Sequence, residues 1–226
     1  MSEEKNPQFT ESDRPVVRKE TTVERVDPFH LPIFQFNDVI SDEQCDVLIG
    51  MCEDQEWESS AKDLPSSNKF SSISVNHRIL DRIPDMKEFF ELFVQDLSKQ
   101  VLQQNTEGFN IGSSWCTKTT IGQSTSIHKH TNYYMSGILY LQEDNRLVVE
   151  NPWTDFKTHH IEPFTINQLT CNSAMIRTNK NSMLLLPAWL KHSVPLYDRE
   201  EPRYSIVMNF YPVGEYGTQT SWISVK

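Results

Sequence analysis

The chain is poor in the features that define several protein classes. Its 226 residues include four cysteines, and these form no C-x-x-C pair. That spacing argues against a disulfide framework or a thiolate zinc site. No apolar run approaches the roughly 18 residues of a membrane-spanning helix, and the polar start MSEEKNPQFTESDRP lacks a secretory pattern. The sequence therefore predicts a soluble protein that is not exported and stays in the cytoplasm.

Basic residues are also scarce. Lys and Arg number 21 against 31 Asp and Glu, which gives a formal net charge of -10. Because non-specific nucleic-acid binding depends on clustered positive charge, duplex nucleic acid is not an expected partner. The sequence contains no nucleophile elbow, no H-E-x-x-H and no P-loop, so hydrolase and nucleotide-phosphate chemistry lack a motif.

The hydrophobic pattern predicts one domain preceded by an arm. Residues 1–26 are polar, with charges of both signs and no hydrophobic period, so we expect a flexible N-terminal arm there and one domain over residues 27–226. Helical spacing of apolar residues predicts helices near 41–55 and 84–105. The Ser-rich segment 59–76 disfavours regular structure unless it pairs at a sheet edge.

From residue 108 onward, apolar residues alternate in short segments bounded by turn residues. Many short strands at such spacing indicate a sandwich or a barrel, and not alternating strands and helices. The predicted architecture is mainly β, with two flanking helices packed against one β-barrel or jelly roll.

Three histidines mark a candidate metal site. His128 and His130 lie in the stretch SIHKHTNYYMSGILYL, and two strand residues at this spacing point to the same face. The pair alone is equally compatible with a solvated strand end. His192, which follows the apolar stretch MLLLPAWLK, adds a third imidazole and favours the metal site. His77 lies outside the barrel pattern and is expected at the surface.

An arginine and a serine follow His192 on the next predicted strand. Arg203 and Ser205 share one face of that strand. A guanidinium directed into a barrel is costly to desolvate unless it meets a carboxylate, which its planar fork binds bidentately. The Ser205 hydroxyl is placed to donate to the same anion. The two residues thus predict a binding site for an anionic ligand.

Together, His-x-His, a strand ending in Tyr-Leu, a distal histidine after an apolar-Pro strand, and Arg-x-Ser resemble the iron(II)- and 2-oxoglutarate-dependent oxygenases over roughly residues 108–212. HKHTNYYMSGILYL is similar to a His-x-His-x-Asn subgroup of uncharacterised bacterial and phage proteins; a phage gene would place the protein in the host cytoplasm. The resemblance implies a double-stranded β-helix, a jelly-roll and cupin-like barrel. It also implies a dioxygenase that uses Fe²⁺, 2-oxoglutarate and O₂, releases succinate and CO₂, and hydroxylates an unidentified small molecule or peptide.

The same resemblance implies roles for particular residues. The metal ligands, which form the catalytic centre, would be His128, His130 and His192. The residues that bind the cosubstrate or line its pocket would be Arg203, Ser205, Tyr140 and Asn209.

His130 departs from the usual family pattern. Most members place Asp or Glu there, in a 2-His-1-carboxylate triad. Three neutral imidazoles leave the charge of Fe²⁺ uncompensated until the dianionic cosubstrate binds. Two alternatives stay open: ligation by His130 and Asn132 with His128 behind them, or a carboxylate supplied from a distance. Candidates for the remote carboxylate are Asp144, Glu150 and Asp155.

Two other functions also stay open. A cupin would explain Gly122 followed by five residues and His-x-His, but the glutamate expected after the second histidine is missing, and Arg203 and Ser205 would have no special role. The missing carboxylate is also compatible with a non-catalytic barrel that binds metal or serves a structural purpose. The sequence does not indicate an oligomeric state.

Overall fold

Period-two segments of the sequence form the strands of two antiparallel sheets, and two amphipathic helices precede most of them. The elements lie within the unit Pro32–Lys226. The structure, a computed structural model, describes residues 31–61, 69–156, 162, 164–167 and 170–225. The predicted N-terminal arm, residues 1–26, lies outside the described residues. Within the described ranges, no helix is long and apolar enough to cross a bilayer.

Helix α1 spans Asp42–Glu53 and begins with a capping box. The Ser41 hydroxyl accepts a hydrogen bond from the backbone N–H of Gln44, and the Gln44 side chain accepts one from the backbone N–H of Ser41. These reciprocal bonds satisfy two N–H groups that a helix start leaves without partners. The helix buries Cys45, Leu48 and Cys52.

Helix α2 spans Pro84–Leu97, and a π-helical turn continues it to Leu102. Proline suits the first turn because its fixed φ is helical and its missing N–H would have no helical partner there. The helix buries Phe90, Val94 and Leu97. The sequence predicted the two helices near 41–55 and 84–105.

The strands divide between a large and a small sheet. The large sheet contains β1 (Phe34–Phe36), β2 (Trp57–Ser59), β3 (Ser72–Ser74), β4 (Gly108–Thr119), β6 (Met135–Tyr140), β9 (Ser182–Pro187), β11 (Arg203–Tyr216) and β12 (Ile223–Val225). The small sheet contains β5 (Thr125–His128), β7 (Asn145–Glu150), β8 (Ser173–Thr178) and β10 (His192–Val194).

The order of strands is that of a double-stranded β-helix. The large sheet runs β1-β9-β6-β11-β4-β3-β2, with β12 beside β11, and the small sheet runs β5-β10-β7-β8. From β4 to β11 the chain passes repeatedly between the two sheets. The prediction of a mainly β fold with flanking helices and a jelly-roll barrel is confirmed.

Part of the Ser-rich segment extends the edge of the large sheet. β3 pairs with β4 through Ser72 opposite Lys118 and Ile73 opposite Thr117, and β2 pairs with β3. Pairing at an edge was the condition under which the sequence allowed regular structure in the segment 59–76. This extension carries residues of β2 and β3 to the cavity described below.

The two faces of β11 serve different purposes. Tyr204, Ile206, Met208 and Phe210 join the hydrophobic core that also contains the buried faces of both helices. Burial of one such aliphatic side chain contributes about 1.5–3 kcal/mol. Because side chains alternate along a strand, the residues between them point into the barrel. Core packing on one face of β11 therefore fixes the direction of the polar residues on the other.

Candidate active site

Residues from both sheets line a cavity of about 660 Å³. This volume lies within the range of small-ligand pockets, about 300–1,000 Å³. The sequence-predicted residues that line it are His128, His130, His192, Tyr140, Arg203 and Ser205. The fold thus brings two histidine segments and an arginine strand, distant in sequence, to one space.

The three histidines converge in one cluster. The ring centroids of His128 and His192 are 4.4 Å apart, and His130 lies 5.2 Å from each. One nitrogen from each ring lies within 4.8 Å of the others. His128 and His192 are opposite each other in the β5–β10 pair, so sheet register alone brings them together.

The sequence predicted that His128 and His130 point to the same face of one strand. In the structure β5 ends at His128, so His130 lies beyond the strand. The backbone N–H of His130 donates to the carbonyl of Ala188 at 2.8 Å. This bond holds the segment after β5 against the residue that follows β9. Asn132 is exposed, with a left-handed φ of 67°, and does not line the cavity. The structure therefore favours His128 over Asn132 as the partner of His130.

Hydrogen bonds fix the tautomers of two rings. Nδ1 of His128 lies 2.8 Å from the carbonyl of Ser126, and Nδ1 of His192 lies 2.8 Å from the carbonyl of Leu190. Because a carbonyl oxygen only accepts, each Nδ1 carries the hydrogen and donates it. The lone pair of each ring is then on Nε2, which is the form a metal ligand needs.

The third ring is held by side chains. Nδ1 of His130 lies 2.5 Å from Oδ1 of Asn209 and 3.1 Å from Oγ of Ser136. Asn209 also reaches Oγ of Ser113 at 3.2 Å. The sequence expected Asn209 in the pocket wall, but it is absent from the described lining residues and contacts His130 instead.

Burial keeps the cluster neutral. Desolvation lowers the pKa of His128 and of His130 below the ordinary 6.5, and it lowers the pKa of His192 to about 3. His192 is 2% exposed, and any charge on His128 or His130 would oppose its protonation further. Since only the neutral imidazole binds a metal, these shifts extend the range of pH over which the cluster is competent.

The cluster contains no carboxylate among the described residues. The Asp144 carboxylate instead forms ion pairs with Arg146 at 2.7 Å and Arg199 at 2.8 Å. Glu150 is not a member of the cluster either. The side chain of Asp155 lies outside the described residues. The structure thus gives no support to Asp144 or Glu150 as a remote ligand.

Arg203 forms the opposite end of the cavity. It is 5% exposed and lies against the ring of Tyr197, with 5.0 Å between the guanidinium carbon and the ring centroid. Among the described residues, no carboxylate lies within ion-pair distance of it. Burial lowers the pKa of Arg203, yet a guanidinium stays protonated at any physiological pH. A buried, unpaired cation of this kind requires an anionic ligand.

Hydroxyl groups surround this end. Thr119 and Thr117 on β4 are opposite Arg203 and Ser205 on β11. Oγ of Ser205 lies 2.6 Å from Oγ1 of Thr117, and Oγ1 of Thr119 lies 3.0 Å from Oγ of Ser71. The sequence analysis missed these partners, although Thr-x-Thr on a strand adjacent to Arg-x-Ser was an available signal.

Tyr140 completes this wall of the cavity. It pairs with Ser205 across β6 and β11, and its side chain is buried. Burial raises the pKa of its phenol above the ordinary value of 10.0, so the hydroxyl keeps its hydrogen and can donate. Together with the serine and threonine hydroxyls, it suits a carboxylate bound at Arg203.

Aromatic rings continue the cavity lining next to His130. The ring of Trp115 lies 5.6 Å from that of His130 and 6.1 Å from that of His77. His77 is exposed, as the sequence predicted, and it also lines the cavity. Trp115 therefore lies between the histidine cluster and the solvent-exposed side of the site.

Residues 113–209 match the family model described as "Putative 2OG-Fe(II) oxygenase". The matched range contains the three clustered histidines, Arg203 and Ser205. Over this range the chain resembles the 2OG-Fe(II) oxygenase superfamily. This match favours the oxygenase over the cupin interpretation of the sequence, while the His-x-His-x-Asn subgroup stays a prediction. No curated protein matches the sequence.

Solved structures share the fold of this chain. An oxidoreductase of the 2OG-Fe(II) oxygenase family from Burkholderia pseudomallei has a TM-score of 0.54 and 9% identity, covering 79% of this chain and 84% of its own. HygX from Streptomyces hygroscopicus has a TM-score of 0.56 and 10% identity, and the match covers 80% of this chain and 83% of HygX. A prolyl-4-hydroxylase from Pseudomonas putida has a TM-score of 0.52 and 13% identity, and the match covers 81% of this chain and 94% of the hydroxylase. At these identities the similarity shows the double-stranded β-helix.

Proposed function

We propose that the protein is a non-haem iron(II)- and 2-oxoglutarate-dependent dioxygenase that hydroxylates a small-molecule or peptide substrate. The observation that carries the proposal is the pairing, in one cavity, of a neutral three-histidine cluster with a buried guanidinium that has no carboxylate partner among the residues the structure describes. Because both groups line the same cavity, one ligand with a metal-binding end and a carboxylate end could contact both.

The histidine cluster fits Fe²⁺. His128, His130 and His192 would hold the ion through Nε2, since hydrogen bonds at Nδ1 orient the rings. Imidazole nitrogen is a suitable ligand for iron, and three protein ligands leave coordination positions for other groups. HygX, which shares the fold, has been crystallised with nickel and 2-oxoglutarate and also with iron.

The arginine end fits 2-oxoglutarate. Arg203 would bind the carboxylate far from the metal, with hydrogen bonds from Ser205 and Tyr140. The carboxylate of the cosubstrate near the metal would offset part of the charge of Fe²⁺, and the far carboxylate would neutralise the Arg203 guanidinium. With His130 at the usual carboxylate position, the described residues would contribute no negative charge to the metal, and we expect metal and cosubstrate to bind with strong mutual dependence.

The chain's own residues prepare the reaction by orienting and enclosing the reactants. The bound iron and cosubstrate supply the oxidising chemistry of the family, in which 2-oxoglutarate becomes succinate and CO₂ and an oxygen atom reaches the substrate. The clustered histidines hold neutral nitrogens within 4.8 Å of one another, and Arg203 would fix the cosubstrate's direction. Ile138, Leu147 and Val207 line the cavity and exclude water between the two ends.

The substrate would approach past Trp115 and His77, two aromatic residues of the cavity lining. HygX has been crystallised with hygromycin B, and the Pseudomonas putida protein is a prolyl-4-hydroxylase. We propose a substrate of the same broad kinds for this chain, a small molecule or a peptide side chain. Duplex nucleic acid is not an expected substrate at a net charge of -10. A cytoplasmic location belongs to the same proposal.

Metal analysis combined with succinate measurement tests the proposal. Purified protein loaded anaerobically with Fe²⁺ is mixed with 2-oxoglutarate, ascorbate and O₂, and succinate is followed by NMR. We expect slow succinate formation even without substrate, dependent on iron. Protein that carries zinc and never converts 2-oxoglutarate after exchange to iron would favour a non-catalytic barrel and overturn the proposal.

A further inference from the structure

The three clustered histidines are not held in the same way. His128 and His192 donate from Nδ1 to backbone carbonyls of Ser126 and Leu190. His130 depends on side chains, with Oδ1 of Asn209 at 2.5 Å from its Nδ1. The ring at the position where the family usually has a carboxylate is thus the one whose orientation can be changed by a single substitution.

A row of polar residues beneath His130 places the Asn209 amide. Asn209 on β11 is opposite Ser113 on β4 and Ser136 on β6, so the three side chains lie side by side across three strands. Asn209 is 3% exposed, and its Nδ2 donates to Oγ of Ser113 at 3.2 Å. In this arrangement Nδ2 faces the Ser113 hydroxyl, and the amide presents its oxygen to His130.

The direction of this amide decides which nitrogen of His130 is available. With Oδ1 toward the ring, Nδ1 carries the hydrogen and Nε2 has the lone pair. The opposite orientation would place an N–H against Nδ1, and the ring hydrogen would then occupy Nε2 and block ligation. Ser136, at 3.1 Å from Nδ1, can donate or accept and therefore enforces neither tautomer.

We propose that Asn209 is a positioning residue that keeps the hydrogen of His130 on Nδ1 and so presents Nε2 to the metal. This role differs from the place in the wall of the cosubstrate pocket that the family resemblance implied. A neutral amide oxygen orients the ring without adding negative charge to it, whereas a carboxylate would do both. The link to metal binding rests on the proposed function, but the effect on the His130 tautomer does not.

The tautomer is measurable without metal. In metal-free protein with ¹⁵N-labelled histidine, long-range ¹H–¹⁵N NMR spectra report which ring nitrogen carries the hydrogen. We expect all three clustered histidines to be Nδ1–H in the wild type. In Asn209→Leu, His130 should lose the pure Nδ1–H form, while His128 and His192 keep it because backbone carbonyls hold them. Asn209→Asp, which retains the acceptor, should restore the Nδ1–H form.

Metal affinity is the second readout. Anaerobic calorimetry with Fe²⁺ should give a Kd about 10- to 100-fold weaker for Asn209→Leu, the usual effect of removing an outer hydrogen bond to a ligand. Asn209→Asp should bind Fe²⁺ at least as well as the wild type. A merely structural role would make Asp as harmful as Leu, because either change disturbs the same buried position.

Three outcomes separate the inference from the proposed function. If Asn209→Leu leaves both the His130 tautomer and the Kd for Fe²⁺ unchanged, the inference is overturned. If Asn209→Leu does not fold, the smaller Asn209→Ser, whose hydroxyl is too short to reach the ring, replaces it with the same expected results. If the wild type binds no Fe²⁺ but the tautomer changes as expected, the proposed function fails and the positioning role stands.

Discussion

The two ends of the cavity solve the problem of binding charge in opposite ways. The histidine end is neutral because burial lowers the pKa of each imidazole, while hydrogen bonds at Nδ1 orient the three rings toward one another. The arginine end has a permanent positive charge enclosed by hydroxyl groups. Metal binding at the histidine end therefore depends on ring orientation and pH. Anion binding at the arginine end depends on the charge of one guanidinium and on its distance from the histidines.

The largest expected effect is at the histidine end. His192→Ala removes a ligand at the most buried position of the cluster, and we expect no measurable binding of Fe²⁺ and a loss of more than about 1,000-fold in succinate formation, since the metal supplies the chemistry. Anaerobic calorimetry measures the binding of Fe²⁺, and NMR measures succinate formation. The matched control is His77→Ala, a histidine at the same cavity but outside the cluster, which should keep its affinity for Fe²⁺.

Replacement at the arginine end should separate metal from cosubstrate. In Arg203→Ala, loss of a charge-assisted hydrogen bond worth about 1.5–3 kcal/mol raises KM for 2-oxoglutarate about 10- to 150-fold, while binding of Fe²⁺ alone is unchanged. Steady-state kinetics and calorimetry report the two quantities. The exposed Arg177→Ala on β8 serves as control. An unchanged KM in Arg203→Ala would mean that the cosubstrate binds elsewhere.

The neutral end should make the stability of the metal-free protein sensitive to acid. The pKa of His192 is about 3 when folded and about 6.5 when unfolded. The folded state thus binds fewer protons between these values, and the stabilisation present above pH 6.5 declines by about 1.4 kcal/mol per pH unit as pH falls toward 3. Urea unfolding between pH 7 and 5 measures this slope. His192→Gln should reduce the slope by about one proton, and equal slopes would contradict the burial argument.

The hydroxyl groups at the arginine end should matter least. Ser205→Ala removes one neutral hydrogen bond, worth about 0.5–1.5 kcal/mol, so KM for 2-oxoglutarate should rise about 2- to 12-fold with little change in kcat. The matched Thr117→Val removes the hydroxyl that holds Ser205 and should have a smaller effect still. An effect of Ser205→Ala as large as that of Arg203→Ala would show that the hydroxyl, and not the charge, dominates this end.

Residues with strong local patterns were predictable from the sequence. Period-two segments after residue 108 predicted the barrel. Arg203, for which the sequence predicts an anion site, lies in the cavity with the histidines. His128 and His192 were candidates from residue type and position, but the register of β5 against β10 sets their cross-strand pairing. The barrel and the candidate residues depend on residue type and spacing, which the sequence records directly.

The remaining features depend on contacts between distant strands. The sequence did not place Asn209 beneath His130, because that contact requires the register of β11 against β4 and β6. Thr119 and Ser71 were missed for the same reason. The exit of the chain after His128, stabilised by a backbone bond from His130 to Ala188, is likewise set by packing and not by a local motif.

Anaerobic visible absorption tests most directly whether the two ends bind one ligand. Fe²⁺ is added to the protein without O₂, followed by 2-oxoglutarate, and the metal-to-ligand charge-transfer band of an iron-bound keto acid is recorded. We predict a band in the wild type that saturates with 2-oxoglutarate and that Arg203→Ala shows only at much higher concentration. Wild-type protein that holds Fe²⁺ but gives no band at saturating 2-oxoglutarate would contradict the account.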